Sequence, residues 1–367
     1  MTGAGRIELY VLGRTLAGVG AALAVIATVI VLVQFVELSH SLSVRADVGP
    51  EDIFGLTLLK SPSVIQVLLP FVFLFGGIGA FVGLNRKSEL VAMRAAGISA
   101  WRFILPSAFA AFVLGALAVT VLNPLSAALA ARFEVDRARM MENYLGDLPK
   151  DVWLRQGDEN TQMVIHAKAR DTVAGAVRLR GVSLYIYQKN KAGQPEFKRR
   201  LEATEATLKP GFWELKSVRE ATAGENSVYS DSLSIRSTLD SEAAVERFAS
   251  PETIGFWKLP AAIRATEQAG FSASGYRLRF QQLLATPLLF AAMSILAAAF
   301  SLRLARLGGL AGLAGAGVGL GFVVFFFNQF SGALGRADII PLFAAAWAPA
   351  VVALLSGLTL LCYTEDG

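Results

Sequence analysis

Long apolar runs on either side of a polar stretch dominate the hydropathy pattern of this chain. Three runs precede residue 123, and three more follow residue 282. Because an α-helix rises ~1.5 Å per residue, about 20 apolar residues cross a ~30 Å hydrocarbon core. The pattern predicts six membrane-spanning helices in a three-plus-three arrangement. The predicted spans are Tyr10–Val36, Val64–Leu84, Trp101–Leu122, Leu283–Leu302, Leu310–Phe330 and Pro341–Cys362.

Composition agrees with a membrane protein. Of the 367 residues, 54% are hydrophobic and 17% are charged, and the mean hydropathy is +0.51, which is typical of a chain largely dissolved in lipid. The first run is too long and too uniformly apolar for a cleavable signal, so we expect it to remain as the first span. The single cysteine, Cys362, excludes an internal disulfide.

Within the polar stretch the periodicity changes from helical to alternating. In residues 182–187, Val, Leu and Ile alternate with Ser and Tyr, which places the aliphatic side chains on one face of a strand. Turn-forming Gly and Pro residues separate such segments, so a β-sandwich or jelly roll is predicted. Residues Ala127–Glu142 and Leu259–Ala269 are predicted to be helical connectors. The predicted strands are Thr161–Ala169, Val177–Gln188, Arg200–Leu208, Phe212–Ala221 and Val228–Ser237.

These elements predict three regions. Residues 1–126 hold spans one to three with a short cytoplasmic helix at 88–97, residues 127–280 form the β domain with its connectors, and residues 281–367 hold spans four to six. Arg and Lys concentrate before the first span and in the second and fourth loops. By the positive-inside rule both termini are cytoplasmic, and the β domain is periplasmic if the host is Gram-negative.

No catalytic motif accompanies this layout. His40 and His166 are the only histidines, and the chain has no HExxH, paired CxxC, GxSxG or Walker A sequence. We expect no catalytic residue, no metal and no cofactor in this chain, and no nucleic-acid partner. Energy for any work would then come from a partner or a gradient.

A glycine-rich stretch at residues 308–321 superficially resembles a phosphate-binding loop. It lies inside an apolar span and lacks the Lys-Ser/Thr pair of such a loop. Small residues four apart favour close helix packing, within the chain or against a similar subunit. The predicted packing residues are Gly312, Gly315 and Gly319.

Residues 88–97 predict a short helix between the second and third spans. Ser88 is a good N-cap, Glu89 suits the positive helix N-terminus, and Gly97 suits the C-terminal stop. The helix carries both apolar residues and charged residues, as expected of a helix that docks into a groove of another protein. A helix resting on lipid headgroups is equally compatible. The predicted contact residues are Glu89, Leu90, Val91, Met93 and Arg94.

The run SELVAMRAAGIS at residues 88–99 resembles the LptF/LptG permease family, the membrane part of the lipopolysaccharide exporter. Leu68-Leu69-Pro70, Asn123-Pro124 and Asn328-Gln329 also match this family. Its architecture, six spans with one large periplasmic domain, covers the whole chain. The segment Met93–Gly97 is more similar to the LptG branch than to the LptF branch.

The resemblance implies a permease that works with several partners. They are an LptB-like ATPase dimer that binds ATP and Mg, an LptF-like permease, a single-span LptC-like protein and a periplasmic LptA-like bridge. It implies that the short helix is the coupling helix and that Glu89 pairs with a basic residue of the ATPase. It further implies a lipopolysaccharide cavity between the first and fifth spans.

A cavity for such an amphiphile needs apolar walls and cations near the outer interface. The end of the first span, residues 34–40, lacks the lysines that some family members carry there. Arginines just beyond the third span are candidate substitutes, although ion pairing with Asp136 on the same helix explains them more simply. The predicted cavity residues are Val25, Val29, Phe325, Phe326, Arg132, Arg137 and Arg139.

Two other functions remain open on the residues alone. In a membrane-anchored sensor or scaffold, the β domain would bind a periplasmic partner and no nucleotide-hydrolysing subunit would be needed. A lipid-modifying enzyme ranks third, because no span contains the His, Asp or Glu cluster that such chemistry requires.

Overall fold

A computed structural model describes residues 3–43, 49–145, 152–157, 161–173, 176–189, 195–222, 226–237, 251–268, 272–304 and 310–365. The chain divides into two compact units. The membrane unit comprises Met1–Arg137, Pro251–Trp257 and Ser274–Gly367, and the insert unit comprises Ala138–Ser250 and Lys258–Ala273.

The membrane unit is helical, and six of its helices are long and apolar enough to cross a membrane. They confirm the six predicted spans, but several helices are longer than the apolar runs because polar flanks continue the helical hydrogen bonding. A π-helical turn, Ala118–Leu122, joins α4 and α5 into one span. The helices are α1 (Gly3–Ser43), α2 (Pro50–Arg86), α3 (Glu89–Ala95), α4 (Ala100–Leu117), α5 (Asn123–Leu145), α6 (Leu259–Gln268), α7 (Ser274–Leu304), α8 (Leu310–Arg336) and α9 (Leu342–Glu365). Of these, α6 lies in the insert unit.

Helix α7 forms the centre of the membrane unit. In its most apolar window 67% of the residues are buried, against 11% for α1 and 22% for α8. Phe290, Met293 and Leu296 of α7 are almost fully enclosed by neighbouring helices. Helices α1 and α8 therefore leave most of their apolar surface for lipid or for another subunit.

Hydrogen bonds near the Asn123-Pro124 pair hold residues 256 and 257, which follow the insert, against the membrane helices. Pro124 has no N–H, so the carbonyl of Thr120 loses its helical partner. The indole Nε1 of Trp257 donates to that carbonyl at 3.0 Å, and the backbone N of Phe256 donates to Asn123 Oδ1 at 2.8 Å. The Asn123-Pro124 pair thus has a structural role, because the Asn123 side chain and the carbonyl that Pro124 leaves free both accept hydrogen bonds from Phe256 and Trp257.

The insert unit contains one six-stranded antiparallel sheet whose strands pair in chain order. The all-β insert is confirmed, and so are the five predicted strands, the connector α6 and the helical continuation in α5. The sequence reasoning missed β1, a short strand with little alternation. The strands are β1 (Val152–Gly157), β2 (Thr161–Val173), β3 (Ala176–Lys189), β4 (Pro195–Lys209), β5 (Phe212–Thr222) and β6 (Val228–Arg236).

One face of the sheet is apolar and enclosed. Leu184, Leu201 and Trp213 are fully buried there, together with the aliphatic residues of β3 that the alternation predicted. The strand pairing skips Lys168, Gly181, Thr204 and Ser217 at one level across β2 to β5. Gly181 and Ser217 adopt positive φ angles of 61° and 51°. Such interruptions curve a sheet, so it can fold over its own apolar face.

Candidate coupling helix and transport surface

Helix α3 begins and ends abruptly between α2 and α4. Ser88 precedes it in a left-handed conformation, with φ 58°, and its side chain makes no capping hydrogen bond. Ser88 thus occupies the predicted N-cap position, but in a left-handed conformation that completes the tight turn out of α2 and without the expected side-chain hydrogen bond. At the other end Gly97, with φ +75°, donates to Arg94 O at 2.9 Å, and Ile98 N donates to Met93 O at 3.1 Å. This is the glycine-terminated Schellman geometry, so the predicted stop at Gly97 is confirmed.

Helix α3 is anchored on one side and exposed on the other. Leu90 is 1% exposed and packs among Phe81, Phe103 and Ile104 of the membrane unit, with Met93 partly buried beside them. Leu90 is thus unable to reach a partner, which corrects its prediction as a contact residue. The exposed residues are Val91, Ala92, Ala95 and Ala96. Sequence reasoning missed the alanines, although their spacing of three to four marks one helix face.

The carboxylate of Glu89 is connected to the first span. Tyr10 Oη donates to Glu89 Oε2 at 2.9 Å, and Arg14 Nε donates to the Tyr10 hydroxyl at 3.2 Å. The Arg14 guanidinium also stands over the Tyr10 ring, 5.3 Å from its centroid. An ion pair also joins Arg102 of the following helix, α4, to Glu8 of α1 at 3.0 Å. The start of α3 is therefore held by α1, an interaction that the sequence did not indicate.

The predicted apolar wall residues lie on the two most exposed spans. Val25 and Val29 of α1 and Phe326 of α8 are each more than half exposed. Phe326 belongs to a ladder with Phe322 and Phe330, whose ring centroids are 6.5 and 6.2 Å from it. Phe325 turns inward instead and meets the ring of Phe71 edge-on at 5.7 Å. Phe325 therefore packs the helix against α2, and Phe326 belongs to the exposed surface.

The predicted cationic residues have different surroundings. Arg132 forms an ion pair with Asp136 at 3.7 Å, one helical turn away. This is the intrahelical pairing that offered the simpler explanation of the arginine. Arg137 lies over the Phe133 ring at 5.9 Å, and Lys60 of α2 approaches the same ring at 5.8 Å. The side chain of Arg139 lies outside the described residues. Sequence reasoning missed Lys60 because it lies outside the apolar part of its span.

Glycines set close helix approaches at positions other than those predicted. A Cβ at Gly315 or Gly319 would have no atom within 4 Å, and the surroundings of Gly312 lie outside the described residues. Among the described residues, Gly315 and Gly319 thus pack against no other helix, whereas a Cβ at Gly317 would lie 2.8 Å from Ile78 of α2. One close approach joins α1 to α2, since a Cβ at Gly76 would lie 2.5 Å from the Cα of Val19. Packing against a second subunit remains a prediction for the exposed glycines.

The described residues contain no group of three or more His, Cys, Asp or Glu side chains placed to hold a metal. Their arrangement offers instead a small exposed helix face, an aromatic ladder and an antiparallel sheet with two edges.

Comparison with known proteins identifies the family. The model of the family described as "Lipopolysaccharide export system permease LptF/LptG" matches residues 9–363. The lipopolysaccharide export system permease proteins LptG of Escherichia coli K12 and of Escherichia coli O6:H1 are each 24% identical to this chain over 332 residues. The match covers 86% of this chain and 88% of each relative. Because the family match spans both groups of membrane helices and the β insert, the chain belongs to the LptF/LptG family of lipopolysaccharide export system permeases.

Proposed function

We propose that this chain is the LptG-like permease subunit of an ATP-driven complex that extracts lipopolysaccharide from the outer leaflet of the inner membrane. It would pass the lipid to a periplasmic bridge. The observation that carries the proposal is α3, a short helix with a buried anchor, an exposed small-residue face and an acidic first residue. Family membership supplies the substrate class, and α3 supplies a place where a hydrolysing partner would act.

The exposed face of α3 suits a protein partner more than a lipid surface. Val91 and the three exposed alanines form a smooth apolar strip, which a groove in another protein can cover closely. An interfacial helix would instead present large apolar residues to the acyl chains and lysines around them. We propose that an LptB-like ATPase dimer covers this strip and that one of its basic residues reaches Glu89.

The link from Glu89 to α1 gives ATP hydrolysis a route to the transport surface. Movement of α3 changes the position of Glu89, and the Tyr10 hydrogen bond passes that change to the first span. The same span carries Val25 and Val29. We propose that these residues and the aromatic ladder of α8 form this chain's share of the wall of the lipopolysaccharide cavity. The other wall would come from an LptF-like permease, because α1 and α8 are the least buried spans.

The β sheet suits a handover between proteins. Its edges are β1 and β6, and Tyr229 of β6 is largely exposed. An open edge accepts a strand from another sheet through backbone hydrogen bonds. We propose that an LptC-like protein and an LptA-like bridge continue this sheet in the periplasm, with both termini of the chain in the cytoplasm.

Reversing the charge at Glu89 tests the coupling assignment. In the purified complex, Glu89→Arg is expected to reduce association of the ATPase and lipopolysaccharide delivery at least tenfold, because it places two like charges together. Tyr10→Phe separates loss of the internal hydrogen bond from loss of the partner contact, since it leaves the carboxylate in place. Glu51→Arg is the matched control, because it reverses the charge of an exposed glutamate at the start of α2, distant in sequence from Glu89. Unchanged association and delivery with Glu89→Arg would refute the assignment.

A further inference from the structure

A cavity with a mixed polar and apolar lining lies within the membrane unit. It has a volume of about 90 Å³ and is formed by α2, α7, α8 and α9. Five polar residues line it within an otherwise apolar and proline-containing wall. They are Gln66, Arg279, Gln282, Thr286 and Asn328.

Arg279 is the unusual member of this set. Its Nε is buried and has no hydrogen-bond partner among the described residues. No described Asp or Glu forms an ion pair with it, and the carboxylate that influences it electrostatically belongs to the exposed Glu252. A buried charge inside an apolar bundle is costly unless a counter-charge or hydrogen bonds compensate it. The cavity is the place where such a counter-charge fits.

The other polar groups favour an anion over a cation. The Gln66 Oε1 accepts hydrogen bonds from Ser126 Oγ at 2.7 Å and from Asn123 Nδ2 at 3.4 Å, which leaves the amide nitrogen of Gln66 to donate. Asn328 and Gln282 each add an amide that can donate. No carboxylate lines the cavity. The site thus combines one fixed positive charge with several neutral donors, a composition that suits an oxyanion.

The depth of the cavity indicates where the anion comes from. Arg279 lies about one and a half turns from the start of α7, and Gln66 is bonded to the residues at which α5 begins. The cavity thus lies at the end of the bundle from which the insert departs. For the proposed orientation this is the level of the outer-leaflet headgroups. A volume of about 90 Å³ exceeds that of a single water site several-fold, which leaves room for a phosphate group.

We infer that this cavity binds the phosphate group of an anionic membrane lipid, with Arg279 as the charged ligand and the neighbouring amides as additional donors. Lipid A and anionic phospholipids both carry this group. The inference rests on the proposed orientation of the chain in the membrane, but it holds whether or not the chain exports lipopolysaccharide. A lipid held there would fix α7 against α2 and α8 at the outer end of the bundle.

Lipid binding to the full chain, purified and delipidated in detergent with any subunits that co-purify, tests this inference. The probes are phosphatidylglycerol, bisphosphorylated lipid A and, as a phosphate-free control, diacylglycerol, each measured by native mass spectrometry. We expect at least one phosphate lipid to bind and Arg279→Gln to weaken its binding at least tenfold. Arg279→Lys should keep most of the affinity because it keeps the charge. Arg277→Gln removes an exposed charge from the same helix and should leave binding within twofold.

The two phosphate lipids identify the source of the group. Binding of lipid A alone assigns the site to the exported lipid, binding of phosphatidylglycerol alone assigns it to a phospholipid, and binding of both shows recognition of the phosphate itself. A thermal unfolding series gives a second signature. Without lipid, Arg279→Gln should be about as stable as the wild type, because it removes a partly buried guanidinium whose Nε has no hydrogen-bond partner among the described residues, and added phosphate lipid should raise the midpoint of the wild type only. Binding of neither lipid, or equal binding by wild type and Arg279→Gln, would overturn the inference.

Discussion

Shortening Leu90 tests whether α3 is fastened to its own chain or held by a partner. Leu90→Ala removes three carbons from a side chain that is 1% exposed. At ~0.8 kcal/mol for each buried methylene, the transfer contribution is about 2.4 kcal/mol, and the cavity left behind raises the total to about 3–5 kcal/mol. We expect this loss to loosen α3 while the six long helices remain folded.

Hydrogen exchange of the α3 amides in the detergent-purified chain measures this loss directly. A change of about 3–5 kcal/mol corresponds to an exchange rate faster by about 100- to 4,000-fold, or to complete loss of protection where the helix opens more easily than that. Val91→Ala is the matched control, since Val91 is the next residue and is 59% exposed. Its protection should stay within threefold of the wild type.

Substitutions at Leu90 and Val91 distinguish packing of α3 within the chain from binding of α3 to the ATPase. Val91→Asp should leave hydrogen exchange in the isolated chain nearly unchanged and weaken ATPase association, because it places a charge on the proposed contact strip. Protection of α3 that survives Leu90→Ala, or that falls equally in Val91→Ala, would refute the one-sided packing described above.

Three further changes test the packing and the electrostatics. Gly76→Val should prevent the close crossing of α1 and α2 and lower the yield of monodisperse protein in size-exclusion chromatography, whereas Gly79→Val, with open space at its Cβ, should not. Trp257→Phe removes the hydrogen bond to the carbonyl that Pro124 leaves free, and should lower the free energy of unfolding by about 0.5–1.5 kcal/mol in a denaturant titration. The Lys209 ammonium, 2.9 Å from Glu214, lowers the pKa of that carboxyl through a hydrogen bond and its charge. Because the folded pKa is depressed, the pair stabilises the fold above the ordinary glutamate pKa and loses this effect as the pH falls through the folded value. Carbon-13 NMR of labelled glutamate should show the low titration midpoint, and Lys209→Ala should return it to the ordinary value.

The periodic parts of the fold were predictable from the sequence. An apolar run of membrane length allows few structures other than a helix, and alternation such as that at residues 182–187 commits a strand to one buried face. The ends of the helices were less predictable. Helix α2 begins at Pro50, well before the apolar run, since polar residues continue a helix beyond the hydrocarbon without changing the hydropathy pattern.

The site was predictable only at the level of segments. The sequence located α3, but the direction of each side chain depends on helices distant in sequence. In the structure Leu90 points inward, and the exposed face consists mainly of alanines. The hydrogen bond from Tyr10 to Glu89 spans 79 residues and leaves no local pattern. The glycine spacing likewise predicted α8 as a packing helix. Which glycine allows two helices to approach closely, however, depends on where the neighbouring helix lies. This explains why Gly76 and Gly317 were missed.

The central claim is that this chain works as one permease of a lipopolysaccharide exporter. Its most direct test is to purify the tagged chain from its native membrane in mild detergent and to identify the co-purifying proteins and lipids by mass spectrometry. We predict recovery of an ABC-type ATPase, a second six-span permease and bound lipopolysaccharide. Recovery of the chain alone, or with unrelated periplasmic proteins and no ATPase, would contradict it and favour a membrane-anchored scaffold.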